Sequence, residues 1–189
     1  MFNHNYKIPI VLKLSGKTSL NPKLKQNLVC SVKYADKLGV KGIGYTIYPF
    51  SPYESEMLEQ FSKIQEEARE YNKEIFLWAY PRGDKIDEYK TENISYATRL
   101  AAELGADFIK VKYNHKPKEY KEVIKNSLKS NLLIAGGKKI DKEKQLLKVV
   151  EEVMNLGAKG LAIGRNIWQR DEEEALKLAN EIAKIIWRF

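Results

Sequence analysis

The chain has 189 residues and a formal net charge of +8, with 33 Lys and Arg against 25 Asp and Glu. That length suits one domain, residues 1–189, with a sizeable core, and no apolar run approaches the ~20 residues needed to span a bilayer. One cysteine, Cys30, excludes an intramolecular disulfide framework and fits a reducing cytoplasm, while two histidines, His4 and His115, argue against a metal centre built on a His cluster.

The start of the chain does not read as a secretory signal: the apolar stretch from Pro9 to Leu12 is too short for the expected h-region. The positive charge is front-loaded: Lys7, Lys13, Lys17, Lys23, Lys25 and Lys33 all precede the first carboxylate, Asp36. These lysines are scattered rather than run together, and no nucleic-acid motif accompanies them. The charge therefore points to a phosphorylated metabolite or to ordinary surface polarity, and not to nucleic acid or membrane.

In chain order the apolar pattern predicts a strand at 8–14, a helix at 22–38 and a strand at 42–47. A helix at 53–71, a strand at 74–80 and a helix at 91–104 follow. Then come a strand at 107–112, a helix at 118–127, a strand at 131–135, a helix at 142–156, a strand at 160–163 and a closing helix at 170–187. Strands alternating with helices indicate βα units and a parallel sheet. A weak repeat marks the unit boundaries: Leu38-Gly39-Val40, Leu104-Gly105-Ala106 and Leu156-Gly157-Ala158 each place a glycine just past a helix end, where a left-handed residue is favoured.

Six such units suit either a doubly wound sheet or part of a (β/α)₈ barrel. Polar and aromatic residues gather at the C-terminal ends of the expected strands, the face that carries the active site of a barrel. No Gly-x-Gly-x-x-Gly sequence favours a dinucleotide fold. The expectation is a TIM-barrel type α/β fold reduced to six βα units, since a full barrel typically has about 250 residues.

Within the strand at 107–112 lie Lys110 and Lys112. A strand repeats every two residues, so both ammonium groups share one face while Ile109 and Val111 share the other. Like-charge repulsion and a partly dry site both lower a lysine pKa and free an amine to attack a carbonyl. That describes a Schiff-base lysine; it also describes a surface strand with two solvated lysines. Upstream, Phe76, Trp78 and Tyr80 share a face, and Pro81-Arg82-Gly83 ends their strand. A phenol there can transfer a proton where histidine is absent, or the aromatics can simply fill the barrel.

Two loops fit an anion. Ala135-Gly136-Gly137 is followed by Lys138 and Lys139, and Gly164-Arg165 follows the last strand. Glycines let backbone N–H groups approach phosphate oxygens, and Arg165 adds a planar donor fork. Either loop alone also reads as an ordinary turn.

Taken together, Leu12-Lys13-Leu14-Ser15-Gly16-Lys17-Thr18, Gly44-Tyr45-Thr46-Ile47-Tyr48-Pro49, Trp78-Ala79-Tyr80-Pro81-Arg82-Gly83, Lys110-Val111-Lys112-Tyr113, Ala135-Gly136-Gly137 and Gly164-Arg165-Asn166-Ile167-Trp168-Gln169 occur in an order that resembles the archaeal-type class I fructose-1,6-bisphosphate aldolases. The resemblance implies a (β/α)₈ barrel that works without metal or other cofactor and assembles as a homo-oligomer. It implies Lys110 as the Schiff-base lysine and Tyr80 as the proton-transfer group. Lys112 would keep Lys110 neutral and contact substrate. Ala135, Gly136 and Gly137 with Gly164 and Arg165 would hold a phosphate of a sugar substrate, and Trp78 and Arg82 would line the pocket.

The resemblance also exposes departures. Residues 8–14 align with the family's third strand, and its first two βα units, with their Asp-His-Gly carboxylate, have no counterpart; truncation is the expected explanation. Phe50 stands where the family usually has glycine, Asn114-His115 where it has Thr-Gly, and Lys138 where it commonly has proline. Two other readings stand beside the aldolase: a synthase of 2-amino-3,7-dideoxy-heptulosonate type, which shares the Schiff base, and a non-catalytic remnant that binds sugar phosphates.

Overall fold

The computed structural model describes residues 8–189; His4 and Lys7 lie outside them. In chain order the elements are β1 Val11–Lys13, β2 Ser15–Gly16, β3 Asn27–Leu28, α1 Val32–Lys37, β4 Gly42–Ile47, α2 Glu54–Glu70, β5 Glu74–Ala79, α3 Thr91–Glu103, β6 Phe108–Val111, α4 Pro117–Asn126, β7 Asn131–Ala135, α5 Glu143–Asn155, β8 Gly160–Ala162, α6 Arg165–Trp168 and α7 Glu172–Ile186.

Six strands form one sheet in the order β1-β4-β5-β6-β7-β8, every pair parallel. Each strand lies beside the next long strand of the chain, with a helix in each crossover. This is the βα repeat expected of a barrel, present here as six units. Within the described residues β1 and β8 are the sheet edges, each paired on one side only.

The two faces of the sheet differ. Ile43, Tyr45, Ile47, Ile75, Leu77, Ala79, Ile109 and Val111 are 0% exposed and pack beneath the helices. The opposite face carries Phe76, Trp78, Phe108 and Lys110, all half-buried. Phe76 and Phe108, neighbours in register, stack with ring centroids 4.3 Å apart. The helices meet the sheet through spaced apolar positions, as in α2, where Met57, Phe61, Ile64 and Ala68 are buried at intervals that keep one stripe inward. Gly39, Gly105 and Gly157 all have positive φ, 69°, 78° and 105°, as the repeated Leu-Gly boundary predicts.

The helix expected at 22–38 is much shorter. Residues 27–28 instead pair antiparallel with 15–16, and Val29 N–H donates to Leu14 O. Between them the chain makes tertiary contacts a helix would forbid: Ser51 Oγ donates to Leu24 O, and the buried Gln26 side chain donates to Tyr48 Oη. Helix begins only after Ser31, whose hydroxyl caps the Tyr34 N–H at 3.2 Å. At the other end of the chain, the element expected at 170–187 runs over Glu172–Ile186 and is capped by Asp171.

Two departures noted above acquire a backbone explanation. Phe50 has φ of 71° and His115 φ of 60°, the left-handed region that glycine enters freely and other residues enter at a cost of ~1–2 kcal/mol. The positions where the family has glycine therefore keep a glycine-like backbone here. Phe50 is held by its ring against Tyr96, centroids 4.9 Å apart, and by its N–H donating to Glu54 at 2.7 Å.

Candidate active site

At the C-terminal ends of the strands lies an open cavity of about 850 Å³. Tyr80, Arg82, Lys110 and Lys112 line one side; Ala135, Gly136, Gly137, Gly164 and Arg165 line the other. The predicted site residues thus share one depression, except Trp78, which is not part of the lining. Its indole lies beside Lys110 instead, the ammonium 5.5 Å from the ring centroid.

Trp78 reaches that place because β4 has no side chain in its way. A Cβ on Gly44 would stand 2.0 Å from the indole Cζ3, so glycine there is a packing requirement. Across the sheet, Lys13 pairs with Gly44, and Trp78 pairs with Lys110. Gly44 itself pairs with Phe76, and the Trp78 indole leans back over Gly44 from the next register row, on the strand that lies between β4 and β6.

Lys110 is half-buried, and its pKa is lowered from the usual lysine value, first by desolvation and second by the positive charge of Lys13. This corrects the expectation that Lys112 is the neighbouring charge that keeps Lys110 neutral. Lys112 Nζ is paired with Glu88 and sits 4.5 Å from the Tyr89 ring centroid, which leaves its charge compensated. Desolvation lowers the Lys13 pKa as well, and its ammonium donates to Gln26 Oε1 at 3.4 Å. Sequence pattern gave one usable hint of Lys13, a lone charge inside Val11-Leu12-Lys13-Leu14.

Tyr80 follows directly on β5, its N–H bonded to Ile47 O at 3.2 Å. Desolvation pushes its phenol pKa well up; Arg82 opposes the rise, while Tyr48 and Glu88 add to it. The hydroxyl therefore stays protonated through the ordinary pH range, a neutral donor facing the cavity. The Arg82 guanidinium lies over two rings, 4.7 Å from the Tyr48 centroid and 5.9 Å from that of Tyr80. Lys112 is fixed from behind: its carbonyl accepts from the hydroxyl of the fully buried Tyr120 at 2.7 Å.

The two glycine-containing loops are tied together by Asn166, which sequence reading placed in a motif without a role. It is 0% exposed. Its Nδ2 donates to Gly136 O at 2.7 Å and Lys138 O at 3.2 Å, and its Oδ1 accepts from Ile140 N–H at 2.8 Å. Arg170 completes the clamp by donating to Asn166 O and Ile140 O. A buried amide with three satisfied bonds sets the relative position of both loops. Gly137, with φ of 65°, makes the turn between them and Lys138.

Chemically the arrangement offers an amine of lowered pKa, a protonated phenol, and a cationic cavity with two backbone-rich turns. Among the described residues, no cluster of three or more His, Cys, Asp or Glu stands ready to hold a metal ion. Among the described residues, no helix is long and apolar enough to cross a membrane.

Comparison with known proteins agrees with this geometry. The family of DeoC/LacD aldolases matches residues 2–170. A class 1 fructose-bisphosphate aldolase of Thermoproteus tenax is 42% identical over 182 residues, which cover 95% of this chain and 68% of the relative. A fructose-bisphosphate aldolase/6-deoxy-5-ketofructose 1-phosphate synthase of Methanocaldococcus jannaschii is 37% identical, covering 95% of this chain and 62% of that one. The chain thus spans about two thirds of the curated relatives it matches.

Among solved structures, an archaeal fructose 1,6-bisphosphate aldolase superposes with a TM-score of 0.91 at 41% identity, covering 96% of this chain and 72% of that chain. An archaeal aldolase whose catalytic Lys is covalently bound to the carbinolamine intermediate of the substrate superposes with a TM-score of 0.91 at 40% identity, covering 95% and 72%. On sequence and fold together, this chain belongs to the DeoC/LacD aldolase family, among the archaeal-type class 1 fructose-bisphosphate aldolases.

Proposed function

We propose that the chain is a Schiff-base aldolase of fructose 1,6-bisphosphate, with Lys110 as the nucleophile. The observation that carries this reading is the placement of one partly desolvated lysine between an indole and a cavity whose far wall is two glycine-containing turns. A phosphate held by the backbone of 135–137 and 164–165 with Arg165 fixes one end of a sugar phosphate, so positioning supplies much of the rate.

The Lys110 amine adds to the C2 ketone to give a carbinolamine. Loss of water leaves an iminium that accepts the electron pair of the C3–C4 bond. Removal of the C4 hydroxyl proton then releases glyceraldehyde 3-phosphate and leaves an enamine of dihydroxyacetone phosphate. Protonation at C3 and hydrolysis return the free amine. Tyr80 faces the cavity with a neutral O–H and is the proton-transfer group in this scheme. The dual name of the Methanocaldococcus relative favours a second, narrower reading, in which the same enamine is passed to an aldehyde other than glyceraldehyde 3-phosphate.

The test is chemical trapping. Incubating the purified chain with dihydroxyacetone phosphate and reducing with borohydride is expected to leave a stable adduct that peptide mapping places on Lys110. A folded chain without an adduct, or with one on another lysine, overturns the proposal.

Lys13 gives a second expectation. The Lys110 amine must be unprotonated to attack, so trapping rises with pH through its lowered pKa. Lys13→Met removes the neighbouring positive charge while retaining similar bulk. The Lys110 pKa then rises and the acidic limb of the trapping profile moves to higher pH. A profile identical to the parent would mean that burial alone lowers the Lys110 pKa.

A further inference from the structure

One group in the cavity has no part in this scheme. Glu88, on the loop between β5 and α3, is the single carboxylate among the described residues lining it, against the cations Arg82, Lys110, Lys112, Lys138, Lys139 and Arg165. One of its oxygens meets the Arg82 Nε at 3.5 Å, and the other meets the Lys112 ammonium. Arg82 follows β5 and Lys112 follows β6, whereas the glycine-containing loops follow β7 and β8. The centres of these two pairs of strand ends lie two strand spacings apart, about 10 Å. An extended six-carbon sugar with a phosphate at each end bridges such a gap.

We propose that Glu88 is an internal anion occupying a second anion subsite made by Arg82 and Lys112, and that a substrate's second phosphate enters by displacing it. This rests on reading the cavity as a sugar-phosphate site. The pairs are made to be exchanged: the Arg82 and Glu88 side chains are each 34% exposed and that of Lys112 18%. Half-hydrated ion pairs of this kind are individually weak. A phosphate dianion presents more charge and three acceptor oxygens to the same two donors. A hydroxyl at that end has no charge with which to compete, so the carboxylate stays and two cations remain compensated. Glu88 thereby lets the cavity keep Arg82 and Lys112 apposed when empty, and it sets how much better a bisphosphate binds than a monophosphate.

The test uses hexitol 1,6-bisphosphate and the corresponding hexitol monophosphates. They lack a carbonyl and bind without forming a Schiff base. Calorimetric titration of the parent and of Glu88→Gln is expected to show the bisphosphate bound roughly 3- to 10-fold more tightly by the variant, the factor that two weak pairs represent, with the monophosphates unchanged. Glu88→Asp, too short to reach both cations, is expected to move in the same direction and serves if the glutamine variant does not fold.

Equal tightening of both ligand classes, unchanged affinities, weaker bisphosphate binding, or no bisphosphate binding to any of the proteins would overturn the proposal. Failure of the aldolase assignment would show separately, as the absence of a borohydride adduct on Lys110.

Discussion

Lys110→Met is expected to lower kcat for fructose 1,6-bisphosphate cleavage by at least about 10⁴-fold, the scale on which loss of a covalent nucleophile acts, and to remove the borohydride adduct. Among the described residues no other lysine has Lys110's combination of burial, an indole neighbour and access to the cavity. The Lys13 side chain is exposed and committed to Gln26, and Lys112 is committed to Glu88. Lys110→Arg is expected to be equally inactive, because a guanidinium keeps the charge and offers no free amine.

The same substitution has a second, opposite signature. The folded-state pKa of Lys110 lies below the ordinary lysine value of 10.5, so folding disfavours its charged form. Below the folded pKa the native chain bears the whole cost of a desolvated ammonium. Between that pKa and 10.5 the unfolded chain binds more protons, and the parent gains stability as pH rises. Lys110→Met removes the titrating group. Its melting temperature should exceed that of the parent at neutral pH, with the advantage shrinking toward pH 10.5. Inactivation with stabilisation marks a residue strained for function; inactivation with destabilisation at neutral pH would mark Lys110 as a packing residue.

Tyr80→Phe is expected to reduce turnover by about 10²–10⁴-fold, the usual range for a proton-transfer group, while leaving the trapped adduct on Lys110. The change deletes one oxygen and keeps the ring that faces Arg82. Because desolvation holds the phenol protonated across the ordinary pH range, the acidic limb belongs to Lys110 and should be the same in both proteins. Single-turnover measurements separate the steps: adduct formation and carbon–carbon cleavage within a few-fold of the parent alongside slow protonation of the enamine at C3. A comparable fall in cleavage itself would place Tyr80 before the bond-breaking step.

The period-two pattern placed Ile109 and Val111 on one face and Lys110 on the other without any knowledge of tertiary structure, and the Leu-Gly boundaries located the ends of three helices. What escaped is what depends on partners distant in sequence. Residues 22–31 carry enough charge and spacing to suggest helix, but Gln26 turns to Tyr48 and residues 27–28 pair with 15–16. Lys13 and Glu88 look like ordinary surface charges until β1 is laid beside β4 and the 81–90 loop is folded over the strand ends. Asn166 is visible in its motif, but its purpose lies in three bonds to a loop some thirty residues away. Phe50 and His115 read from sequence as departures from the family's glycines; their positive φ angles show backbone conformation preserved at the expense of side-chain identity.

The order of strands across the sheet is the order in which they are made. As the chain leaves a ribosome, each of these βα units finds its hydrogen-bonding neighbour already in place, and among the described residues no pairing within the main sheet waits for a distant segment. Growth of this kind resembles extension of a repeat array, where each addition is stabilised mainly by the one before it. The cavity does not share that gradual history. Its nucleophile is complete when β6 is laid down, yet the turns after β7 and β8, and the Asn166 bonds that unite them, arrive only two units later. A sugar phosphate bridging the two halves would bind the finished curve alone, and its binding energy would count toward retention of the last units. For a nascent chain, substrate then reports that the turns after β7 and β8 have joined the sheet.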